Sequence, residues 1–171
     1  KGLHYSLINH AMWTFRRGTG DEAVVTAGES LDVATTMRML TPERASSSTL
    51  GLILIVTEID VARGQDLCLK VMSNFPMVSS ITEAEIDALN GLAIAAYLRG
   101  DATATRDYYR QTIDHIGRSW ITQTRHDVLV NLATSGILVL DSQGQTELAV
   151  ELTAALSCIP DISPLPSVGW V

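Results

Sequence analysis

The sequence predicts an all-α protein built as an array of stacked helical hairpins. Three observations lead there. Apolar residues recur at spacings of three and four along most of the chain, which is the period of a helix with one buried face. Those stretches are interrupted by short turns of one form, Arg17-Gly18, Arg63-Gly64, Arg99-Gly100 and Gln143-Gly144. Aromatic residues make up only 5% of the chain, while small and aliphatic residues dominate, a composition that lets helix axes approach closely.

The elements follow in order. Leu3 to Arg17 has Leu7, Ile8, Ala11, Met12 and Phe15 on one face. Gly18-Thr19-Gly20 ends it, because glycine takes the left-handed geometry of a helix terminus without a Cβ clash. Asp21 is the expected cap of a second helix running to about Met39, with Val24, Ala27, Leu31 and Ala34 inward. Leu40 to Glu43 interrupts the pattern. Thr41 as cap and Pro42 at the first helical position make a start signal that Ser46, Ser47 and Ser48 soften. A strongly apolar helix is then expected from Ser48 to Arg63, placed between two neighbours. A turn at Gly64-Gln65 and a short helix from Asp66 to Asn74 follow, stopped by Phe75-Pro76.

Thr82-Glu83-Ala84-Glu85 has the capping-box form and opens a long helix with Ile86, Leu89, Ala93, Ala96 and Tyr97 inside. Gly100-Asp101 turns the chain. Thr105, Tyr108, Tyr109, Thr112, Ile113 and Ile116 then form one stripe that ends at Gly117. Thr122 to Leu140 carries Val128, Leu129, Leu132, Ala133 and Gly136 inward. After Gly144 the last stripe is Leu148, Ala149, Leu152, Ala155 and Leu156. Residues 159–171 read as an extended tail or linker.

The turn glycines lie 46, 36 and 44 residues apart. Five residues after each sit Ala23, Leu69, Thr105 and Ala149, small or apolar in every case. One hairpin cannot bury both of its faces, so adjacent hairpins complete the core.

Residues 92–116, LAIAAYLRGDATATRDYYRQTIDHI, resemble a tetratricopeptide repeat, with Thr105 and Thr112 where that family usually has alanine. The longer, irregular units are similar to the repeats of large bacterial regulators, the MalT-like and LuxR-type transcription activators. The resemblance implies a right-handed superhelix of about four antiparallel pairs, with units at about 3–39, 46–75, 81–117 and 121–157 within a domain 1–158. It implies a cytoplasmic binding module, the regulatory or sensory segment of a bacterial transcription regulator, whose concave groove takes a protein or peptide. A small-molecule effector is the alternative occupant. The chain opens without methionine, which suggests a piece of a longer protein, and array ends of that kind invite pairing between copies.

Charge and motifs narrow the function. The net charge of −7, with Lys1 and Lys70 the only lysines, disfavours a general nucleic-acid surface. The apolar run Leu50 to Val56 is far below the roughly 20 residues of a membrane span. Cys68 and Cys158 lack metal-site spacing and read as free thiols. No phosphate loop, dinucleotide fingerprint or nucleophile elbow occurs. His4 and His10 fall on different faces of one helix, and His115 and His126 stand singly, so no metal or cofactor site is expected. Glu83, Glu85 and Asp87 suit a helix N-terminus electrostatically. No catalytic constellation is expected. Of Tyr108 and Tyr109 at least one should be packing; of the tryptophans, Trp13, Trp120 and Trp170, Trp120 in a hairpin connection and Trp170 in the tail could each cover an array edge or anchor a partner.

Overall fold

In a computed structural model that describes residues 3–73, 83–118 and 126–157, the chain is all-α, with no strand among those residues. The helices are α1 (Leu3–Arg16), α2 (Gly20–Thr36), α3 (Leu40–Val56), α4 (Val61–Ser73), α5 (Glu83–Leu98), α6 (Ala102–Arg118), α7 (His126–Ser142) and α8 (Thr146–Ser157). Connections of three or four residues join α1 to α2, α2 to α3, α3 to α4, α5 to α6 and α7 to α8. Such short links reverse the chain, so each helix runs back along its predecessor. The odd helices also pack in succession, α1 on α3, α3 on α5 and α5 on α7. The even helices sit against this layer, α2 also touching α3 and α4 also touching α5, while α8 meets α6.

Most of the core positions read from the periodicity are buried. Ile8, Ala11 and Met12 of α1, Ala27 and Ala34 of α2, and Leu50, Ile53 and Leu54 of α3 close the first part of the core. Leu52 and Ile55 on the other side of α3 join a second cluster that runs through Val71, Leu92, Tyr109 and Leu140 to Leu152. As expected of a helix between two neighbours, α3 is buried from Ser46 to Ile55 without a break, and α5 is buried from Ile86 to Ala96.

The second hairpin corrects the sequence reading. Gly64 is no turn. It lies inside α4, buried, and α3 ends at Val56 rather than Arg63. The chain reverses at Thr57-Glu58-Ile59-Asp60, where Glu58 takes a φ of +56°. Asp60 Oδ1 accepts the N–H of Arg63 at 3.0 Å, just as Asp101 Oδ1 accepts that of Ala104 at 2.9 Å. These are helix caps of one design. The carbonyls of Thr19, Asp60, Asp101 and Gln145 accept from the N–H groups of Ala23, Gly64, Thr105 and Ala149 at 3.0, 2.9, 3.0 and 3.1 Å. The joints so defined lie 41, 41 and 44 residues apart, more even than the turn glycines suggested.

Gly64 thus takes the buried small position held elsewhere by Ala23, Thr105 and Ala149, and Leu69 does not; Leu69 is exposed. A Cβ on Gly64 would stand 2.7 Å from the carbonyl oxygen of Gly51, and one on Gly51 would stand 2.8 Å from Cys68 Sγ. Here two helix backbones nearly touch. Thr105 and Thr112 are buried with their hydroxyls turned back on their own helix, to the carbonyls of Asp101 at 2.8 Å and Tyr108 at 2.9 Å.

Helix starts differ too. Thr19 precedes α2 and sends its hydroxyl back to the Thr14 carbonyl at 2.8 Å, so Asp21 lies in the first turn and is not the cap. Helix α3 begins at Leu40, ahead of both Thr41 and the expected unit start at 46, and Pro42 sits in its first turn, where no N–H partner is lost. Ser46, Ser47 and Ser48 are mid-helix and buried. Gly117 lies within α6. The Thr82 capping box, the Phe75-Pro76 stop, the start at Thr122, Cys158, Trp120, Trp170 and the tail lie outside the described residues.

Candidate partner-binding face

The middle turns of α3 and α5 expose no side, so accessible chemistry must be sought elsewhere. Helix α1 offers it. Its buried residues are His4, Ile8, Ala11, Met12 and Thr14. The spacing of three and four that turns those inward turns Tyr5, Asn9, Trp13, Arg16 and Arg17 outward, with Leu3 and His10 beside them. Trp13 is 54% exposed and Leu3 is 63% exposed. The Arg17 guanidinium lies over the Trp13 ring, 4.4 Å from its centroid, and the His10 ring lies 6.0 Å away on the other side in sequence. A cation held on an indole keeps both groups in place before any partner arrives. Trp, Tyr and Arg are also the side chains that most often dominate binding energy. Of the three tryptophans singled out in the sequence, Trp13 is the one the structure describes, and it is exposed.

A second set of polar groups is sealed inside. Ser30 on α2 and Ser46 on α3 stand 2.8 Å apart and share a hydrogen bond, and Ser30 also donates to the His4 carbonyl at 3.2 Å. Arg44 on α3 pairs with Glu85 on α5, both mostly buried. Asn90 Oδ1 accepts from Tyr109 on α6 at 3.3 Å and from Ser135 on α7 at 3.1 Å, drawing three helices together. Ser47 Oγ and His4 Nε2 are buried without a hydrogen-bond partner among the described residues.

This interior is poorly suited to proton transfer or nucleophilic attack. Burial, reinforced by the nearby Asp87 carboxylate, pushes the Cys68 thiol up to about 12, so it is a thiol and not a thiolate at neutral pH. Burial likewise raises the Tyr109 phenol. Among the described residues no three His, Cys, Asp or Glu side chains stand where they could hold a metal ion. No helix of the described residues is long and apolar enough to cross a membrane.

The remaining residues singled out in the sequence are scattered. His4 is buried and His10 exposed, on different faces as their spacing requires. His115 bonds its own helix through Nδ1, 2.9 Å from the Gln111 carbonyl oxygen. The side chain of His126 lies outside the described residues. Tyr109 is fully buried and Tyr108 half-buried. Of the acidic start of α5, Glu85 is taken up by Arg44 and Asp87 is buried. Sequence reasoning missed the Arg44–Glu85 pair and the Asn90 junction. The run Ser46-Ser47-Ser48-Thr49 in an otherwise apolar helix was the available sign of a polar interior. No protein-family model, curated protein or solved structure matches this chain.

Proposed function

We propose that this chain is a protein- or peptide-binding helical-repeat module, a right-handed superhelix of tetratricopeptide type that serves as the regulatory or sensory segment of a larger bacterial transcription regulator. The observation that carries the binding role is the outer face of α1, where Trp13 and Arg17 stack in the open beside Tyr5 and Leu3. The joints spaced 41, 41 and 44 residues apart support the repeat reading. With the middles of α3 and α5 buried, the proposed contact is on the outer face of α1 rather than on a groove floor formed by those helices.

Selection of helical peptides against the whole chain tests the binding role. Selected peptides should lose about tenfold or more in affinity for Trp13→Ala and for Arg17→Ala. They should bind Val150→Ala, a change on the exposed side of α8, as they bind the parent. Equal binding to all three variants would remove the role from α1. The regulator context stands or falls with the full reading frame: a helix-turn-helix or nucleotide-binding motif beside this segment supports it, and a frame without either ends it.

The effector-sensor reading has one observation in its favour, the buried Ser47 hydroxyl, which has no hydrogen-bond partner among the described residues. A metabolite that raises the melting temperature of the parent but not of Ser47→Ala would support it. No such shift across sugars, amino acids and nucleotides would dismiss it.

A further inference from the structure

We propose that the outer side of the first helix pair is a self-association surface, on which α1 of one copy lies antiparallel along α2 of a second copy. This rests on reading the outer face of α1 as a docking face, and it names the occupant.

The argument starts from charge. From Leu3 to Arg16, α1 contains no carboxylate, and Arg16 and Arg17 at its end are both exposed. Helix α2 is the reverse. Ala23, Ala27, Ser30 and Ala34 are its buried residues. Opposite them, spaced three, four and three, run Glu22, Val25, Glu29 and Asp32, all exposed, with Asp21 at the start. Helix α2 has no Lys or Arg anywhere between Gly20 and Thr36. None of Arg16, Arg17, Asp21, Glu22, Glu29 and Asp32 has an ion-pair partner among the described residues. Each face therefore has an exposed apolar centre, Trp13 on one and Val25 on the other, beside charge of a single sign.

The register matches as well. Both helices rise about 1.5 Å per residue. With Trp13 set against Val25 of the partner subunit and the helices antiparallel, Arg16 meets Glu22 of the partner subunit. Arg17 then meets Asp21 of the partner subunit, and His10 falls beside Glu29 of the partner subunit. Within one copy α1 and α2 already run antiparallel. Adding an antiparallel α1–α2 contact between copies makes every neighbour in the resulting four-helix cluster antiparallel. A twofold axis along the helices closes it, so the same contact forms twice and no further copies are recruited.

Sedimentation velocity on the whole chain tests this. A dimer is expected at about 0.05 M salt, weakened about tenfold or more at about 0.5 M salt, since the attraction is between exposed charges. Arg16→Glu with Arg17→Glu should be monomeric. Asp21→Arg with Glu22→Arg should be monomeric too. Mixed in equal amounts, the two variants should form a heterodimer, because each restores opposite charge across both contacts. Circular dichroism checks that each is folded, and Val25→Ser, one exposed substitution, should weaken the dimer without changing the charges. A parent chain that stays monomeric at both salts overturns the proposal, whether or not it binds selected peptides. So does a dimer indifferent to both charge reversals, or a mixture that remains monomeric. Peptide binding that depends on Trp13 in a monomeric chain leaves the docking role standing and removes only this occupant.

Discussion

Glycine has two opposed uses in this chain, and single substitutions separate them. At Gly64 an added methyl would meet the Gly51 carbonyl oxygen at 2.7 Å and Ile55 Cγ1 at 2.8 Å. Gly64→Ala should therefore cost about 1–3 kcal/mol in chemical denaturation, because backbone must move to admit it. At Gly28, within α2, the same methyl meets nothing within 4 Å. Gly28→Ala should stabilise by about 0.5–1 kcal/mol, since alanine loses less freedom in a helix. Equal effects at both sites would contradict the close crossing of α3 and α4. His4 sets a pH dependence at the same scale. Burial holds its imidazole below the ordinary 6.5, so the unfolded chain takes up the proton first. Its contribution is complete above pH 6.5 and is lost as pH falls through that value toward the lowered one in the folded state. Melting temperature should drop on acidification over that window, and His4→Phe should flatten the drop. An unchanged slope in that variant would assign the dependence elsewhere. Residue identity revealed part of this in advance. Glycine at a helix end announced the turns at Gly18, Gly100 and Gly144, all with positive φ. Arg38 and Glu58 take the same left-handed geometry with side chains that do not favour it, so no glycine announced those two joints; the break at Leu40 to Glu43 and Pro42 still marked the first, and nothing marked the second.

Elements were legible where periodicity alone decides them, and obscure where contact between helices does. The inward stripes of α5, α6 and α8 followed from spacing. The joint before α4 did not, because an Arg-Gly pair inside the helix imitated the other turns while the true reversal at Thr57 to Asp60 has no glycine. Polar pairing between helices left still less trace. Arg44 and Glu85 are 41 residues apart in sequence, and only stacking α5 on α3 brings them together. Glu85→Gln or Arg44→Met alone should cost about 2 kcal/mol or more, because either leaves a charge with little access to water. The joint variant Arg44→Met with Glu85→Gln should cost less than the sum, and strictly additive losses in that cycle would show that the pair does not couple the two helices. By contrast Lys70 and Glu43, 2.8 Å apart with Lys70 well exposed, should contribute well under about 1 kcal/mol.

Across the whole molecule, stability should be graded from the centre outward. Helices α3 and α5 are enclosed on all sides, whereas α1 and α8 each keep one exposed side. Amide exchange followed by mass spectrometry should protect the middles of α3 and α5 longest and release α1 and α8 first. Uniform protection would mean that the chain opens only as one unit. An all-α architecture was readable at this scale, because helical period and short reversals recur from end to end. The enclosure of α3 was expected from its apolar run, but that of α5 was not, since it depends on how far each hairpin wraps its neighbour. Small residues such as Gly51, Gly91 and Ala93 permit that wrapping without dictating it.

Cys68 sits where α3, α4 and α5 converge, with its sulfur 2.8 Å from where a Cβ on Gly51 would be and 2.9 Å from one on Gly91. No thiol reagent can reach that sulfur while the three backbones stay together, and its protonation silences what little could. The chain therefore contains its own chemical clock. With Cys158 replaced by serine, the rate at which a thiol probe labels Cys68 times the parting of the central helices and nothing else. Gly64→Ala should quicken that clock while Gly28→Ala slows it or leaves it alone. Labelling as fast as a free cysteine peptide would mean that the junction is not closed in solution.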